Sequence, residues 1–287
     1  MSKYGKYILT ELKMPSFTPE AEAAYNKFGR RILWMDKNNV PGAFQMNCSW
    51  YLKKLEKGPR EHVHDVDEIL GFFGNDPQDP YNLHGEVELW LGDEKQTITQ
   101  STMVFIPAGI KHCPLNLIRV DRPIFHFSVV TSGEYVPQDV KDTKTSATDL
   151  SRYVVTELKT PNFPPEFVTK YNEFATRILW MDKNVVPGAF QMNCSWYREP
   201  NYEHLGYAHK HDVPEIIGFV GGDARNYRDL NAELEVWLED EKFIITKSCM
   251  IFVPAGMMHC PIYIKRVDRP IFHWSVVTGS TYSLQRK

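Results

Sequence analysis

The chain has 287 residues, 43% of them hydrophobic and 13% aromatic, which is enough to fill the core of one large domain or two ordinary ones. A formal net charge of -3 gives no general attraction to nucleic acid or to an anionic membrane surface. No apolar run approaches the roughly 20 residues that span a bilayer, and residues 1–6 lack the apolar stretch of a secretory signal. Five cysteines, an odd count with no Cys-x-x-Cys pair, indicate free thiols and a reducing compartment, so a cytoplasmic location is expected.

In chain order, residues 1–6 lead straight into a strand-like segment. A helix is expected over 19–30, with Thr18 as N-cap and Pro19 in the first turn. Residues 42–50 alternate, with Phe44, Met46, Cys48 and Trp50 on one face and Gln45, Asn47 and Ser49 on the other. Residues 86–90, 103–106 and 124–130 are further strands, separated by turn signals such as Gly92-Asp93 and Pro107-Ala108-Gly109. The polar stretch 131–152 reads as a connection, after which the pattern begins again, with a second helix over 165–175. Many short strands and few helices predict an all-β, antiparallel sandwich or barrel.

The chain is a duplication. Residues 7–13 recur as 153–159, and residues 31–51 recur as 177–197 with a single difference, Asn39 against Val185. The partition this suggests is 1–135 for a first domain, 136–152 for a linker and 153–287 for a second domain. The repeat carries chemistry with it. His62, His64, Glu68 and His112 return, each 147 residues later, as His209, His211, Glu215 and His259. Residues i and i+2 of a strand face the same way, so the two histidines of each His-x-His point together. Glu68 follows His64 at an even spacing. Three imidazoles and a carboxylate suit a borderline divalent transition metal, one per repeat, with manganese or iron ahead of zinc, nickel and cobalt.

These motifs resemble those of the cupin superfamily, in the two-domain form called a bicupin. The pattern His-x-His-x(3,4)-Glu-x(6)-Gly is met by His209, His211, Glu215 and Gly222. The first repeat meets it at His62, His64 and Glu68 but carries Asn75 at the glycine position, just after Gly74. The pattern Pro-x-Gly-x-x-His-x-x-x-Asn is met by Pro107, Gly109, His112 and Asn116. In the second repeat Pro254, Gly256 and His259 match while Tyr263 replaces the asparagine. The resemblance implies two tandem cupin-type barrels (double-stranded β-helix, or jelly roll) with a metal inside each, and a short helical insert near each N-terminus.

Other residues carry weaker readings. His126 and His273 are matched on the last strand of each repeat, either as acid/base groups or supports facing the lumen, or as hydrogen-bonded structural histidines. Gln45, Asn47, Gln191 and Asn193 would bind substrate if the polar face points inward; the alternative is that the apolar face does. Arg119, Arg122, Arg266 and Arg269 flank Asp121 and Asp268, which favours surface ion pairs over a carboxylate site. Trp34, Asp36 and Lys37, with Trp180, Asp182 and Lys183, are candidates for holding barrels or subunits together. His84 and His204 have no repeat partner. Cys113 and Cys260 follow a ligand histidine, and strand alternation points their sulfurs away from the metal. Oxidisable Met103, Met250, Met257 and Met258 crowd the same segments.

The expected function is a metal-dependent enzyme doing redox-neutral chemistry on a small carbonyl compound such as a cyclic β-diketone, by hydrolytic C–C cleavage, isomerisation or decarboxylation. The alternatives are a cupin dioxygenase acting on an enolisable diketone or phenolic compound, and a non-catalytic metal- or ligand-binding bicupin. The partner is a small-molecule substrate, with homo-oligomerisation left open.

Overall fold

A computed structural model of the chain describes residues 2–14, 18–140, 149–205 and 207–286. The first repeat runs β1 (Ile8–Leu9), α1 (Pro19–Tyr25), β2 (Gly29–Met35), β3 (Met46–Tyr51), β4 (Glu68–Gly74), β5 (Asn82–Leu91), β6 (Glu94–Gln100), β7 (Thr102–Ile106), β8 (His112–Val120) and β9 (Ile124–Val130). The second runs β10 (Val154–Val155), α2 (Pro165–Phe174), β11 (Ala175–Met181), β12 (Gln191–Tyr197), β13 (Asn201–Leu205), β14 (His209–Lys210), β15 (Glu215–Gly221), β16 (Asp229–Leu238), β17 (Glu241–Lys247), β18 (Cys249–Val253), β19 (His259–Val267), β20 (Ile271–Val277) and β21 (Gln285–Arg286). Among the described residues no helix is long and apolar enough to cross a membrane.

Two compact units form, and neither is a linear segment. One gathers residues 13–37 and 44–156; the other gathers 1–12, 38–43 and 157–287. A cut into 1–135 and 153–287 separates strands that pair. β10, which opens the second repeat, pairs with β7 through Val154↔Val104. β1, which opens the first, pairs with β18 through Ile8↔Ile251. The two segments have nearly the same sequence, so each satisfies the same kind of sheet edge, and each covers an edge that would otherwise be exposed.

Each unit is an antiparallel jelly-roll barrel built from two sheets. In the first unit the main sheet has the order β10-β7-β4-β9-β3-β2 and the second has the order β6-β5-β8. In the second unit the orders are β1-β18-β15-β20-β12-β11 and β17-β16-β19-β14-β21, with β13 also on β19. β3, β4 and β9 are buried along their whole length, whereas β5 alternates buried and half-buried positions with only Asn82 exposed. The main sheet is therefore covered on both faces and the second sheet on one. In the second unit Leu234, Val236, Leu238, Ile262 and Ile264 of the second sheet form one cluster with Ile217, Phe219 and Ile251 of the main sheet.

The expected helix over 19–30 is shorter than its sequence pattern. Thr18 does cap α1, its Oγ1 accepting from the Ala21 N–H at 3.2 Å, but the helix ends at Tyr25 and residues 29–35 are already strand. The apolar run that follows joins the sheet, where pairing with β3 outweighs helical propensity. The expected connection 131–152 is not a bare linker. Gln138 bridges Val63, Leu150 is buried, and residues 154–155 form β10, while residues 141–148 lie outside the described residues.

The motif differences between repeats have steric explanations. A Cβ at Gly74 would sit 1.9 Å from the Asn82 carbonyl oxygen, and one at Gly221 would sit 2.2 Å from that of Asp229. The close approach common to both repeats therefore falls on this glycine, and Asn75 stands one position beyond it. Asn116 accepts the Gly58 N–H at 3.1 Å. In the second repeat the corresponding loop becomes β13 and pairs along β19 through backbone bonds, which leaves no such role for Tyr263. Gly109 and Gly256 do need a glycine, with φ of +79° and +80° in the turn before each last ligand.

Candidate metal centre

The main-sheet strands define which side chains enter the lumen. Residues paired across a ladder share a face. Leu70 pairs with Ser128, and Ser128 with Asn47; Phe72 pairs with His126, and His126 with Ser49. Glu68 shares this face by alternation with Leu70 and Phe72. The inner face therefore carries Glu68, Ser128, His126, Asn47 and Ser49, and the polar face of β3 points inward. Met46, Cys48 and Trp50 occupy the other, also buried, face. In the second unit Gln191 pairs with Val277 and Val277 with Glu215, so Gln191 lies in the same row as the carboxylate.

The histidines arrive from the second sheet and its edge. His62 and His112 form a reciprocal bridge, each N–H donating to the other's carbonyl. His209 and His259 pair in the same register. The imidazole centroids of His62, His64 and His112 lie 4.2, 5.0 and 5.2 Å apart, and those of the second set 4.2, 4.9 and 5.1 Å. His112 Nε2 is 3.0 Å and His64 Nε2 is 3.6 Å from Glu68 Oε2. The matching distances to Glu215 are 3.0 Å from His259 and 3.2 Å from His211.

Each ring is oriented through its other nitrogen. Nδ1 of His62 donates to the Arg60 carbonyl (2.8 Å), that of His64 to Val136 (3.0 Å) and that of His112 to Ile110 (3.1 Å). His209, His211 and His259 do the same to Tyr207, Ser283 and Met257. A neutral imidazole that donates through Nδ1 carries its lone pair on Nε2. At the centre, Nε2 of His64 and His112 and Oε2 of Glu68 are buried and converge without hydrogen-bond geometry; the second set repeats this at His211, His259 and Glu215. Lone pairs facing a carboxylate oxygen repel one another, and a divalent cation relieves that repulsion. The donor set fits a metal ion.

The carboxylate is fixed from behind. Ser128 Oγ donates to Glu68 Oε1 at 2.6 Å, and Ser275 does the same for Glu215. In the metal-free chain burial pushes Glu68 up, but His112 and His64, when protonated, and the Ser128 hydroxyl outweigh it and hold the group at about 2. Glu215 is lowered by the same balance with His211 and His259. His126 is wedged between Tyr51 and Phe72, with centroids at 4.7 and 4.9 Å, and donates from Nδ1 to the Gly71 carbonyl at 2.9 Å. Burial lowers its pKa to about 4, and that of His273 likewise. Both rings are thus neutral at pH 7. Gln45 is fully buried, as is Gln191, and neither carboxamide has a hydrogen-bond partner among the described residues.

Three groups of side chains were missed. Tyr135 OH lies 3.1 Å from His62 Nε2, and Tyr282 OH lies 3.2 Å from His209 Nε2, so a phenol closes each cluster. Tyr135 falls in the stretch read as a connection and Tyr282 near the end of the expected second domain; their shared offset of 147 was the available signal. Ser128 and Ser275 sat in view beside His126 and His273. Arg31 and Arg177 were hidden in the long identical block.

One expectation is reversed. Cys113 and Cys260 do not point away: their sulfurs lie within 4.8 Å of ligand nitrogens of His62 and His112, and of His209 and His259. Each cysteine has positive φ, +70° and +67°, which breaks the alternation on which the expectation relied. The arginine reading holds for the surface. Arg119 pairs with Asp121, Arg122 with Asp76, Arg266 with Asp268 and Arg269 with Asp223. Trp34 and Trp180 donate to Asp36 and Asp182 two residues on, at 2.8 and 3.0 Å, as local braces. Lys37 pairs with Glu134. His84, near the start of β5, faces Asp76 and Asp79, and the side chain of His204 lies outside the described residues.

Two jelly-roll barrels, each carrying a His-x-His, a glutamate and a distant histidine around one buried point, make this a bicupin fold. No family model matches the chain, and no curated protein matches it. Solved structures do. One, of Bacillus subtilis oxalate decarboxylase studied for the fine structure of its Mn(II) centres, is 13% identical with a TM-score of 0.55, covering 90% of this chain and 75% of that one. A second, of oxalate decarboxylase studied for its substrate binding mode and reaction specificity switch, is 12% identical with the same score and coverage.

Proposed function

We propose that the chain is a metal-dependent bicupin enzyme that carries out redox-neutral chemistry on a small carbonyl compound. Decarboxylation or C–C cleavage of a chelating dicarbonyl leads the candidate reactions. The observation that carries this is the duplicated convergence of imidazole lone pairs on a buried carboxylate oxygen. The folds it resembles include that of a decarboxylase with Mn(II) centres.

His62, His64, Glu68 and His112 would hold one ion, and His209, His211, Glu215 and His259 a second. Bound there, manganese or iron supplies positive charge and Lewis acidity. The remaining work falls to the chain. Leu70 and Phe72 on the inner face exclude water. The carboxamides of Gln45 and Gln191, with Asn47 and Asn193, orient substrate oxygen atoms as hydrogen-bond donors. The Tyr135 and Tyr282 hydroxyls place a proton beside the first ligand of each set. His126 and His273, held neutral, serve as proton acceptors or as walls that keep the pocket shape.

The test is turnover of protein loaded with Mn(II) and with each other first-row divalent metal in turn, against a panel of β-dicarbonyl and keto-acid compounds, with and without dioxygen. Turnover that persists under strict anaerobiosis supports the reading. Turnover that stops without dioxygen replaces it with the dioxygenase, and inactivity with every first-row metal replaces it with a binding protein.

A further inference from the structure

The lumen of each barrel holds a buried polar group that the metal cluster does not use. The Val130 N–H donates to the Gln45 carbonyl at 3.0 Å, and Val130 pairs in turn with Glu68, so Gln45 and Glu68 lie in one inner-face row. Gln191 stands in the same row as Glu215 through Val277. Two strand spacings, about 10 Å, separate each glutamine backbone from that of its carboxylate. Nε2 and Oε1 of both glutamines are buried and have no hydrogen-bond partner among the described residues. A carboxamide offers two N–H donors and one carbonyl acceptor, and burying them unmet costs free energy. Native proteins keep few such groups. This one occurs in both repeats at the same inner-face position.

Space adjoins these groups. On β3 and β9 the inner-face residues Asn47, His126 and Ser128 keep 8, 6 and 6% exposure, whereas Met46, Cys48, Phe127 and Val129 on the other face keep none. Residual exposure on the lumen side alone means that water-sized room lies inside the barrel. The second unit repeats this, with Asn193, His273 and Ser275 partly reached and Met192, Cys194, Trp274 and Val276 sealed. At the β2 end the rows are closed by Arg31 and Trp34, which a bulge between Arg31 and Leu33 brings opposite Ser49 and Asn47. Arg31 Cζ packs 3.9 Å from the Tyr25 centroid, and Arg177 Cζ packs 4.5 Å from that of Tyr171.

The N–H groups of a carboxamide are satisfied by any carbonyl oxygen, but its own oxygen is satisfied only by a donor. We propose that Gln45 and Gln191 determine specificity by requiring the substrate to carry a hydrogen-bond donor, a hydroxyl or an amide N–H, beside an oxygen that accepts from Nε2. This rests on the barrel lumen being the substrate cavity, as proposed above. It narrows the carbonyl compound to a neutral hydroxy-carbonyl or amide. A plain ketone leaves Oε1 unmet, and a carboxylate sets its own lone pairs against it. A site built around a hydrogen bond rejects the analogue that lacks the partner, because the buried group then stays unpaired.

The test is calorimetric titration of the full-length chain, loaded with Mn(II) and again after EDTA, with three probes of one shape. Benzamide carries donor and acceptor, acetophenone an acceptor alone, and benzoate acceptors with a charge. Benzamide is expected to bind at least about tenfold more tightly than either of the others in both states. That preference is expected to vanish in Gln45→Met/Gln191→Met and to persist at the second barrel alone in Gln45→Met. Methionine keeps the volume without the polar atoms, so the EDTA-treated double variant is expected to unfold at higher urea than the EDTA-treated wild-type chain. Acetophenone or benzoate binding as tightly as benzamide, no benzamide binding, a preference that survives in the double variant, or a lower urea midpoint in that variant would each overturn the proposal. Metal content is measured on the same samples. Bound metal without an amide preference sinks this proposal alone, and an amide preference in a chain that takes up no metal sinks the metal reading alone.

Discussion

Removing the hydroxyl of Ser128 is the sharpest perturbation of the metal centre that leaves every ligand in place. Its Oγ–H donates to Glu68 Oε1 at 2.6 Å, a short bond to an ionised acceptor inside a site where Glu68 is 1% exposed. A hydrogen bond to a charged group contributes roughly 1.5–3 kcal/mol, and a buried acceptor left without its donor costs about as much. The loss falls on the carboxylate in the geometry that presents Oε2 to His64 and His112. Groups that orient a metal ligand from behind typically contribute 10- to 100-fold in affinity, and about 2 kcal/mol corresponds to a factor near 30. Ser128→Ala is therefore expected to weaken one Mn(II) site by about that factor in competition titration against a fluorescent chelator. The second site should keep its affinity, because Glu215 is held by its own Ser275. Ser275→Ala should do the converse. Unchanged affinity in Ser128→Ala, or an equal loss at both sites, would refute the reasoning.

The buried histidines make stability depend on pH in a direction that can be worked out. His126 and His273 have pKa values of about 4 when folded, against an unfolded value of 6.5. The unfolded chain takes up protons first as pH falls, so stability is lost between 6.5 and 4. At pH 5 this amounts to roughly 2 kcal/mol per histidine, and metal-free His126→Asn should show a shallower drop in urea unfolding between pH 7 and 5. Gly74→Ala should destabilise by more than about 3 kcal/mol, because its Cβ would press on the Asn82 carbonyl, whereas Asn75→Gly should change stability by less than about 1 kcal/mol. Burial raises the thiols of Cys113, Cys194, Cys249 and Cys260. A thiol reagent at pH 8 should therefore label all five cysteines in denaturant and fewer than one per chain natively, which counting by mass spectrometry would check.

The ligand set was legible because it rests on two short-range rules, side-chain period and repetition. His62 and His64 follow strand alternation, and a shift of 147 residues reproduces all four ligands. What escaped needed information the period does not contain. Cys113 turned inward because of one positive φ, and Arg31 because of one bulge; both break the alternation that the reading assumed. Tyr135 escaped because a polar segment looks like a linker until its phenol is seen against His62. The exchange of β1 and β10 between sheets was invisible for the opposite reason: the two strands are so alike that sequence gives each no preference for its own repeat.

The central claim is that each barrel holds one metal ion on three histidines and a glutamate. Elemental analysis of the purified chain, loaded with Mn(II) and freed of excess ion, tests it most directly. The account predicts about two ions per chain, falling to about one in Glu68→Gln and one in Glu215→Gln, with the double variant near zero. A wild-type value near zero after loading, or two ions retained in the double variant, would contradict it.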